Sequence, residues 1–264
     1  MKLIKPEPLV MGGRAHYTLS SYEPVSVKID VPFLSEAEMD FMATLAMNEE
    51  LDGEKLPEGA TEEELREAVY DEVRAANEGM LEEQKVTQCL QELSKRLMQQ
   101  VPTAQVQRAR EVVVQTFRLS LGDEGLTEGE FLAQTGMRRS DLEAMFDAQA
   151  EQSAEQEAAI DAWADHFGIA VIDDELPEYL GAPSEVDGAE LLSQIRALGQ
   201  LEEARSMARR NKAIEDVVNT CHCTYYHETP AEAAARLERM QRELTFMQRS
   251  NEPADDDRPH LKLV

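Results

Sequence analysis

The sequence has little of three things: aromatic residues, basic residues and cysteine. Aromatic side chains make up 5% of the 264 residues, so the core must be aliphatic, rich in the helix formers Ala, Leu and Met. Lys and Arg number 26 against 53 Asp and Glu, and the net charge of −27 argues against binding to nucleic acid or anionic lipid. Three cysteines, Cys89, Cys221 and Cys223, cannot form a disulfide framework.

Long apolar runs and catalytic motifs are also missing. The first residues, MKLIKPEPLVMGG, lack a signal peptide's apolar stretch, and no segment approaches the roughly 18 apolar residues of a membrane span. We therefore expect a cytoplasmic protein. The chain contains no GxxxxGK(S/T), GxGxxG, HExxH or GxSxG motif, and most of its carboxylates lie on predicted helix faces, where solvated side chains are expected. The sequence predicts no catalytic residues and no cofactor.

The clearest strand lies between residues 22 and 33, where apolar and polar residues alternate as in a strand with one buried face. Its apolar members are Val25, Val27, Ile29 and Val31. We predict that residues 16–20 pair with this strand, because YTLS has β propensity and the following SSYEP favours a turn.

After Pro32 the pattern becomes helical, and five helix starts carry a Ser or Thr followed three residues later by Glu. This spacing is typical of a capping box, in which the hydroxyl accepts a hydrogen bond from the N3 amide and the Glu accepts one from the cap amide. The five pairs are Ser35/Glu38, Thr61/Glu64, Thr127/Glu130, Ser140/Glu143 and Thr229/Glu232.

These signals and the apolar periodicity give the helix boundaries. They predict helices over residues 35–47, 61–100, 103–121, 127–134, 140–167, 187–219 and 229–249, with a turn or short helix at 173–179. The helix over 140–167 has apolar ends and a polar middle, so we expect it to bridge two packed regions or to line an open groove. The last helix carries a heptad-like series, namely Ala233, Leu237, Met240, Leu244 and Met247.

The densest group of metal-capable side chains is Cys221, His222, Cys223 and His227, of which Cys221, Cys223 and His227 are the candidate ligands. Zinc needs thiolates and imidazoles that converge tetrahedrally, and the CxC spacing here is tighter than usual, with no second CxxC in the chain. We keep zinc as an alternative. We favour a strand or turn that follows a helix, in which cysteine acts as a small buried apolar residue.

Several segments, read in order, resemble the C-terminal chaperone domain of the bacterial trigger factor family. TEEELREAVYDEVRAANEGMLEEQKVTQCLQEL is similar to the family's first long helix, and VPTAQVQRAREVVVQTFRLSL to the segment that begins with Val-Pro. The closest stretch is GLTEGEFLAQTGMRRSDLEAMFDAQAEQSAEQEAAIDAWADHFGIAVIDDEL. ALGQLEEARSMARRNKAIEDVV resembles the family's last helix, and VSVKIDVPFLSEAEMDFMATL the linker into its isomerase domain.

The resemblance implies a mainly α fold: an elongated, SurA-like module of many helices with a short N-terminal β segment. The chain then divides into a strand-bearing segment (1–34), the chaperone domain (35–228), an amphipathic helix (229–250) and a disordered tail (251–264). The family's ribosome-docking loop has no counterpart near the start, and NEELDGEKLPEGA is too short for the family's prolyl isomerase domain. We therefore expect no ribosome binding. We also expect no prolyl isomerase activity, which is an alternative that only the family label supports.

The expected function is that of an ATP-independent holdase, which binds unfolded or nascent polypeptides in a helical cradle while its acidic exterior keeps the complex soluble. The candidate client-binding residues are Phe117, Phe131, Met145, Phe146, Leu237 and Met240. We expect no nucleic-acid or membrane partner, and a homodimer is left open. The alternative function is that of a helical adaptor that pairs through the heptad-like series of the last helix.

Overall fold

The computed structural model describes residues 5–11, 14–35, 38–40, 62–183 and 187–251. Within these ranges the chain is mainly helical with a few short strands, which confirms the predicted fold class. The strands are β1 (Leu9–Met11), β2 (Arg14–His16), β3 (Ser26–Val31) and β4 (His222–His227). The helices are α1 (Glu62–Ser94), α2 (Thr103–Asp123), α3 (Glu128–Thr135), α4 (Arg139–Phe167), α5 (Leu176–Tyr179), α6 (Gly188–Ala197), α7 (Leu201–Thr220) and α8 (Pro230–Asn251).

Two compact units divide the chain, and each is built from two separate stretches. The first unit comprises Met1–Lys28 and Glu82–Thr224, and the second comprises Ile29–Leu81 and Tyr225–Val264. The boundary therefore falls within α1, β3 and β4. The four-segment division expected from the sequence stays a prediction.

The N-terminal strands pair differently from the sequence prediction. β1 pairs with β2 in an antiparallel arrangement that places His16 opposite Leu9. The prediction that residues 16–20 pair with β3 is wrong, because His16 pairs with β1 and residues 18–20 meet the chain that follows α1. Leu19 forms an antiparallel bridge with Leu97, supported by a backbone hydrogen bond of 2.8 Å from the Ser20 N–H to the Arg96 carbonyl.

β3 has the alternating burial that its sequence predicts, since Val27 and Ile29 are buried whereas Ser26, Lys28 and Asp30 are exposed. Its partner is β4, the strand that follows α7, so the prediction of a strand or turn after that helix is confirmed. The His222 N–H donates to the Val25 carbonyl and the Glu228 N–H to the Val31 carbonyl, at 2.8 and 2.9 Å. Because these bonds advance together along both strands, the strands are parallel.

α1 ends at Ser94, six residues before the predicted end at residue 100. The shortened helix frees the following residues to pair with the N-terminal chain, where the Met98 N–H donates to the Thr18 carbonyl at 3.0 Å. The prediction of an uninterrupted helix to residue 100 is therefore wrong. The alternative backbone partners satisfy groups that a helix end would leave unpaired.

α4 is the central helix of the first unit and packs against both α2 and α7. Its buried side chains follow a spacing of four residues through its middle, namely Leu142, Phe146, Ala150, Ala154 and Ala158. The segment predicted to be polar on most faces thus has a buried stripe of alanines. Side chains this small let neighbouring helices approach closely, so α4 contributes to the core along most of its length.

The helix starts around α3 and α4 test two predicted capping boxes. Thr127 and Glu130 form one at the start of α3, with both reciprocal hydrogen bonds present. The prediction of a second at Ser140 and Glu143 is wrong, since α4 begins at Arg139, its N-cap is Arg138, and no side chain caps it. Glu143 instead accepts a hydrogen bond from Arg110 of α2.

α6 and α7 replace the single helix predicted over residues 187–219. They are separated at Gly199, whose φ of 71° lies in the left-handed region that ends α-helices and that glycine adopts without strain. The turn folds α6 and α5 against α7, with Leu176, Leu192 and Ala208 buried among them. The short helical segment predicted at 173–179 is confirmed as a 3₁₀ turn (Asp173–Glu175) followed by α5.

Two predicted capping boxes lie in the second unit. Ser35 and Glu38 exchange hydrogen bonds at the start of a helical segment of which residues 38–40 are described. Thr229 and Glu232 do the same at the start of α8, with Pro230 at its first position. The rest of the helix predicted over 35–47, the cap at Thr61, the segment 48–60 and residues 252–264 lie outside the described residues.

Glu232 provides a pH-dependent test of the α8 cap. Hydrogen bonds from the Tyr226 hydroxyl, at 2.7 Å, and from Thr229 hold its pKa at about 2. The usual pKa of a glutamate is 4.5. Because the pKa of Glu232 is lowered, the cap stabilises the fold fully above pH 4.5, and this contribution disappears as the pH falls towards 2. NMR titration of the Glu232 carboxyl should give a midpoint at least one unit below that of exposed glutamates. Substitution of Tyr226 by Phe should raise it, and an ordinary midpoint in the unsubstituted chain would refute the cap.

None of the described helices is both long and apolar enough to cross a membrane.

Candidate functional site

The candidate site begins at an apolar cavity between α2 and α4. The cavity has a volume of about 370 Å³. Its lining comes from Val112, Val113, Thr116, Phe117 and Ser120 of α2 and from Met145, Phe146 and Gln149 of α4. The α2 residues recur at spacings of one, three and four, so a single helix face supplies this wall.

Aromatic packing fixes the base of this apolar cavity. The Phe117 ring lies 5.2 Å from the rings of both Phe131 and Phe146, and both pairs are edge-to-face. Phe146 is buried, whereas Met145 is 45% exposed and Val112 is 63% exposed. The cavity therefore has a rigid aromatic floor and a rim of flexible or aliphatic side chains open to solvent.

A second, polar cavity of about 650 Å³ adjoins the first. The two cavities share Val112 and Val113, and we call the pair the α2–α4 groove. The polar side chains of the second cavity are Arg14, Tyr17, Gln105, Arg108, Ser153, Glu157, Asp161, Ser206 and Arg210. Apolar surface with a few placed polar groups is the usual composition of a binding site, and both volumes lie within the usual range.

Asp161 organises the charges of the polar cavity. It is 7% exposed, and it accepts two hydrogen bonds from Arg210, at 3.1 and 2.9 Å, with Arg14 within 3.5 Å. Burial disfavours the charge of Arg210, but the hydrogen bonds and negative charges of Asp161 and Glu157 together outweigh this effect and raise the pKa of the guanidinium. Burial and the Asp161 charge raise the pKa of Tyr17, whose hydroxyl donates to Gln105 at 2.7 Å. The expectation of solvated carboxylates fails at Asp161.

The structure brings together four of the six residues selected from the sequence. Phe117, Met145 and Phe146 line the apolar cavity, and Phe131 supports it through Phe117. The prediction that the α4 helix lines an open groove agrees with this arrangement. Leu237 is half-buried on α8 in the second unit, and the side chain of Met240 lies outside the described residues.

Sequence reasoning missed the polar cavity and the exposed Val112. One signal was present, because Arg108, Val112 and Thr116 recur every fourth residue beside a parallel row at Gln105, Ala109 and Val113. Two adjacent rows on one helix predict a shared face, and this face lines both cavities. The Asp161–Arg210 pair joins residues separated by 49 positions, so no local pattern could have indicated it.

The thiols lie at another place in the first unit. Cys89 of α1 is buried, and Cys221 lies within hydrogen-bond reach of its thiol. Cys221 and Cys223 are half-buried. Across the described ranges, no three His, Cys, Asp or Glu side chains are placed to hold a metal ion, so the zinc alternative gains no geometric support.

The reactivity of Cys89 tests this placement. Burial and the neighbouring Cys221 raise the pKa of the Cys89 thiol to about 12. Because the thiolate is the nucleophile, we expect iodoacetamide at pH 8 to alkylate Cys89 at least roughly 1,000-fold more slowly in the native protein than in urea. Mass spectrometry of timed samples would follow each cysteine, with the half-buried Cys223 as internal control. Equal native and denatured rates at Cys89 would show that its thiol is not buried as described.

Comparison with known proteins bears on the same part of the chain. The family model for the C-terminus of the bacterial trigger factor protein matches residues 61–219. No curated protein matches the chain. Among solved structures, the crystal structure of a hypothetical Mycoplasma protein is similar, with a TM-score of 0.39 and 10% sequence identity. That likeness covers 80% of this chain and 90% of the other.

Proposed function

Because the chain belongs to the bacterial trigger factor C-terminal family, we propose that it is an ATP-independent holdase that binds unfolded polypeptide segments in the α2–α4 groove. The observation that carries the proposal is the exposed apolar rim of Val112 and Met145 above the aromatic floor at Phe146. Exposed apolar surface at a concave site costs free energy in water, and a bound apolar segment would cover it.

The volume of the groove suits individual side chains of an extended client segment better than the surface of a folded protein. A cavity of about 370 Å³ accommodates two or three aliphatic or aromatic side chains, as an extended segment presents them. Met145 is flexible and polarisable, so it can adapt to apolar side chains of different shape. Contacts of this kind are individually small, which permits release without nucleotide. The net charge of −27 would keep a complex with an apolar client in solution.

The test is suppression of aggregation by a variant with a polar rim. In the double variant Val112→Ser/Met145→Ser, each substitution removes about 1 kcal/mol of contact with a bound apolar segment, which together weakens binding roughly thirtyfold. We expect the unsubstituted protein to suppress aggregation of several unrelated unfolded proteins near stoichiometric ratio. The double variant should require a large excess.

Leu119→Ser is the matched control. Leu119 lies on the same helix and is also 63% exposed, but it lines neither cavity. This variant should suppress aggregation as the unsubstituted protein does. Equal activity of the groove variant and this control would remove the groove from the proposal, and no suppression by any of the three would remove the holdase function itself.

The remaining expectations about the chain are proposals of the same kind. We propose that it has no prolyl isomerase activity and that it acts in the cytoplasm, and a homodimer stays an open alternative. A proline-limited refolding assay tests the first point, because acceleration at substoichiometric protein would establish an isomerase. The adaptor alternative requires the heptad-like face of α8, where Ala233 is buried and Leu237 half-buried.

A further inference from the structure

Resting on the proposed function, we infer that the α2–α4 groove selects client segments in which a carboxylate side chain lies two residues from an apolar side chain. The apolar side chain occupies the apolar cavity beside Val112. The carboxylate pairs with the guanidinium of Arg108, which lines the polar cavity. Arg108 is thus a specificity-determining residue.

Arg108 differs from the other arginines around the groove because it has no hydrogen-bond or ion-pair partner in the described part of the chain. Arg110, its neighbour on α2, pairs with Asp147 of α4 at 2.6 Å and also with Glu143. Arg14 and Arg210 share Asp161. Among the residues that the structure describes, Arg108 forms no hydrogen bond or ion pair, although it is exposed and lines the cavity. It is therefore available to an anionic group of a ligand.

The charge balance of the polar cavity is the reverse of that of the whole chain. Among the residues that line it, three arginines, Arg14, Arg108 and Arg210, outnumber two carboxylates, Glu157 and Asp161. Arg14 also lies 3.4 Å from Asp165, outside the lining, so Arg108 is the lining arginine that has no carboxylate partner among the described residues. The chain as a whole carries −27. At physiological ionic strength the distant charges are screened beyond roughly 8 Å, so contact with Arg108 governs selection within the groove.

The residue spacings of a helix and of an extended peptide explain why the carboxylate and the apolar side chain of the client lie two positions apart. Arg108 and Val112 are one helical turn apart on α2, which places their side chains roughly 6 Å from each other. In an extended peptide, side chains on the same face alternate with every second residue and are separated by roughly 6.6 Å. A client residue that pairs with Arg108 therefore places the side chain two positions away over Val112, where the two cavities meet.

Fluorescent peptides with capped ends test the inference at physiological salt. Three peptides share an apolar sequence and carry Glu, Gln or Lys two positions from a central Leu. For the unsubstituted protein we expect the Glu peptide to bind roughly threefold more tightly than the Gln peptide, as a partly exposed ion pair allows. Arg108→Gln should abolish this preference, and Arg108→Glu should shift it to the Lys peptide.

Arg118→Gln is the matched control, because Arg118 is an exposed arginine of α2 that lines neither cavity. It should keep the preference for Glu, and circular dichroism would confirm that all variants are folded. Equal binding of the three peptides by the unsubstituted protein would overturn the inference and leave the holdase proposal standing. A preference for Glu that survives Arg108→Gln would also overturn it. Failure of every peptide to bind, together with no suppression of aggregation, would reject the proposed function as well.

Discussion

Replacing Trp163 with Ala is expected to destabilise the first unit by about 3–5 kcal/mol. The side chain is 2% exposed on α4, and its ring centroid lies 4.6 Å from that of Phe167 and 6.3 Å from that of Tyr22. The indole N–H donates to Asp216 of α7 at 2.8 Å. The substitution therefore leaves a cavity where α4 meets α7 and also removes a polar link between these helices.

Urea denaturation followed by far-UV circular dichroism would measure this loss. Trp163→Phe separates the two contributions, because it keeps most of the apolar contact and removes the hydrogen bond, at an expected cost of about 1–2 kcal/mol. Phe167→Ala is the control from the same cluster. Phe167 is 50% exposed, so its truncation should cost less than half as much as that of Trp163. Similar losses at both positions would show that Trp163 is not the buried centre of the cluster.

Asp161→Ala is expected to destabilise the first unit by about 2–3 kcal/mol, somewhat below the range for fully buried pairs. Asp161 accepts both hydrogen bonds of a bidentate pair with Arg210, and its side chain is nearly inaccessible. Without the carboxylate, the positive charges of Arg210 and Arg14 face each other in the polar cavity. Arg210 then keeps only the exposed Glu157 and Arg14 only Asp165, so the poorly compensated positive charge, rather than the lost attraction alone, accounts for most of the expected effect.

A second pair of variants distinguishes this explanation from simple loss of volume. The double variant Asp161→Leu/Arg210→Leu removes both charges and should be more stable than Asp161→Ala, because no buried charge is left unpaired. Glu157→Ala removes the exposed partner of Arg210 and should change stability by less than about 0.5 kcal/mol. Urea denaturation compares all four proteins. If the double variant were no more stable than Asp161→Ala, the ion pair would not be the cause.

The sequence-based predictions succeeded where the determining interactions are local. Thr127 and Glu130 are three residues apart, and their reciprocal hydrogen bonds need only the backbone between them. The capping box predicted at Ser140 and Glu143 does not form, and the cause is also local. Arg138 already has the extended backbone of an N-cap, so α4 begins one residue before Ser140 and places that residue within the helix.

The failures concern contacts between distant residues and the use of small side chains. The bridge between Leu19 and Leu97 ends α1 early, and only the tertiary structure brings these residues together. Alanine contributes little to a hydrophobic pattern, so the sequence predicts a polar segment around Ala150 and Ala154, although both are buried. The same limits apply at the groove. Phe117, Phe131 and Phe146 are candidates from the sequence because they are apolar residues of predicted helices, whereas the role of Arg108 depends on which neighbouring charges are already paired.

The interleaving of the two units has a consequence for synthesis of the protein. Residues 29–81 leave the ribosome before Glu82–Thr224, yet their partner stretch, Tyr225–Val264, is made after both. At about 5–20 residues per second, the first part of the second unit waits roughly 10–40 s until its complement has been synthesised. The first unit is also incomplete until residue 224 is added. A truncation within the last 40 residues would therefore leave the second unit without part of its chain, and no single cut releases either unit whole.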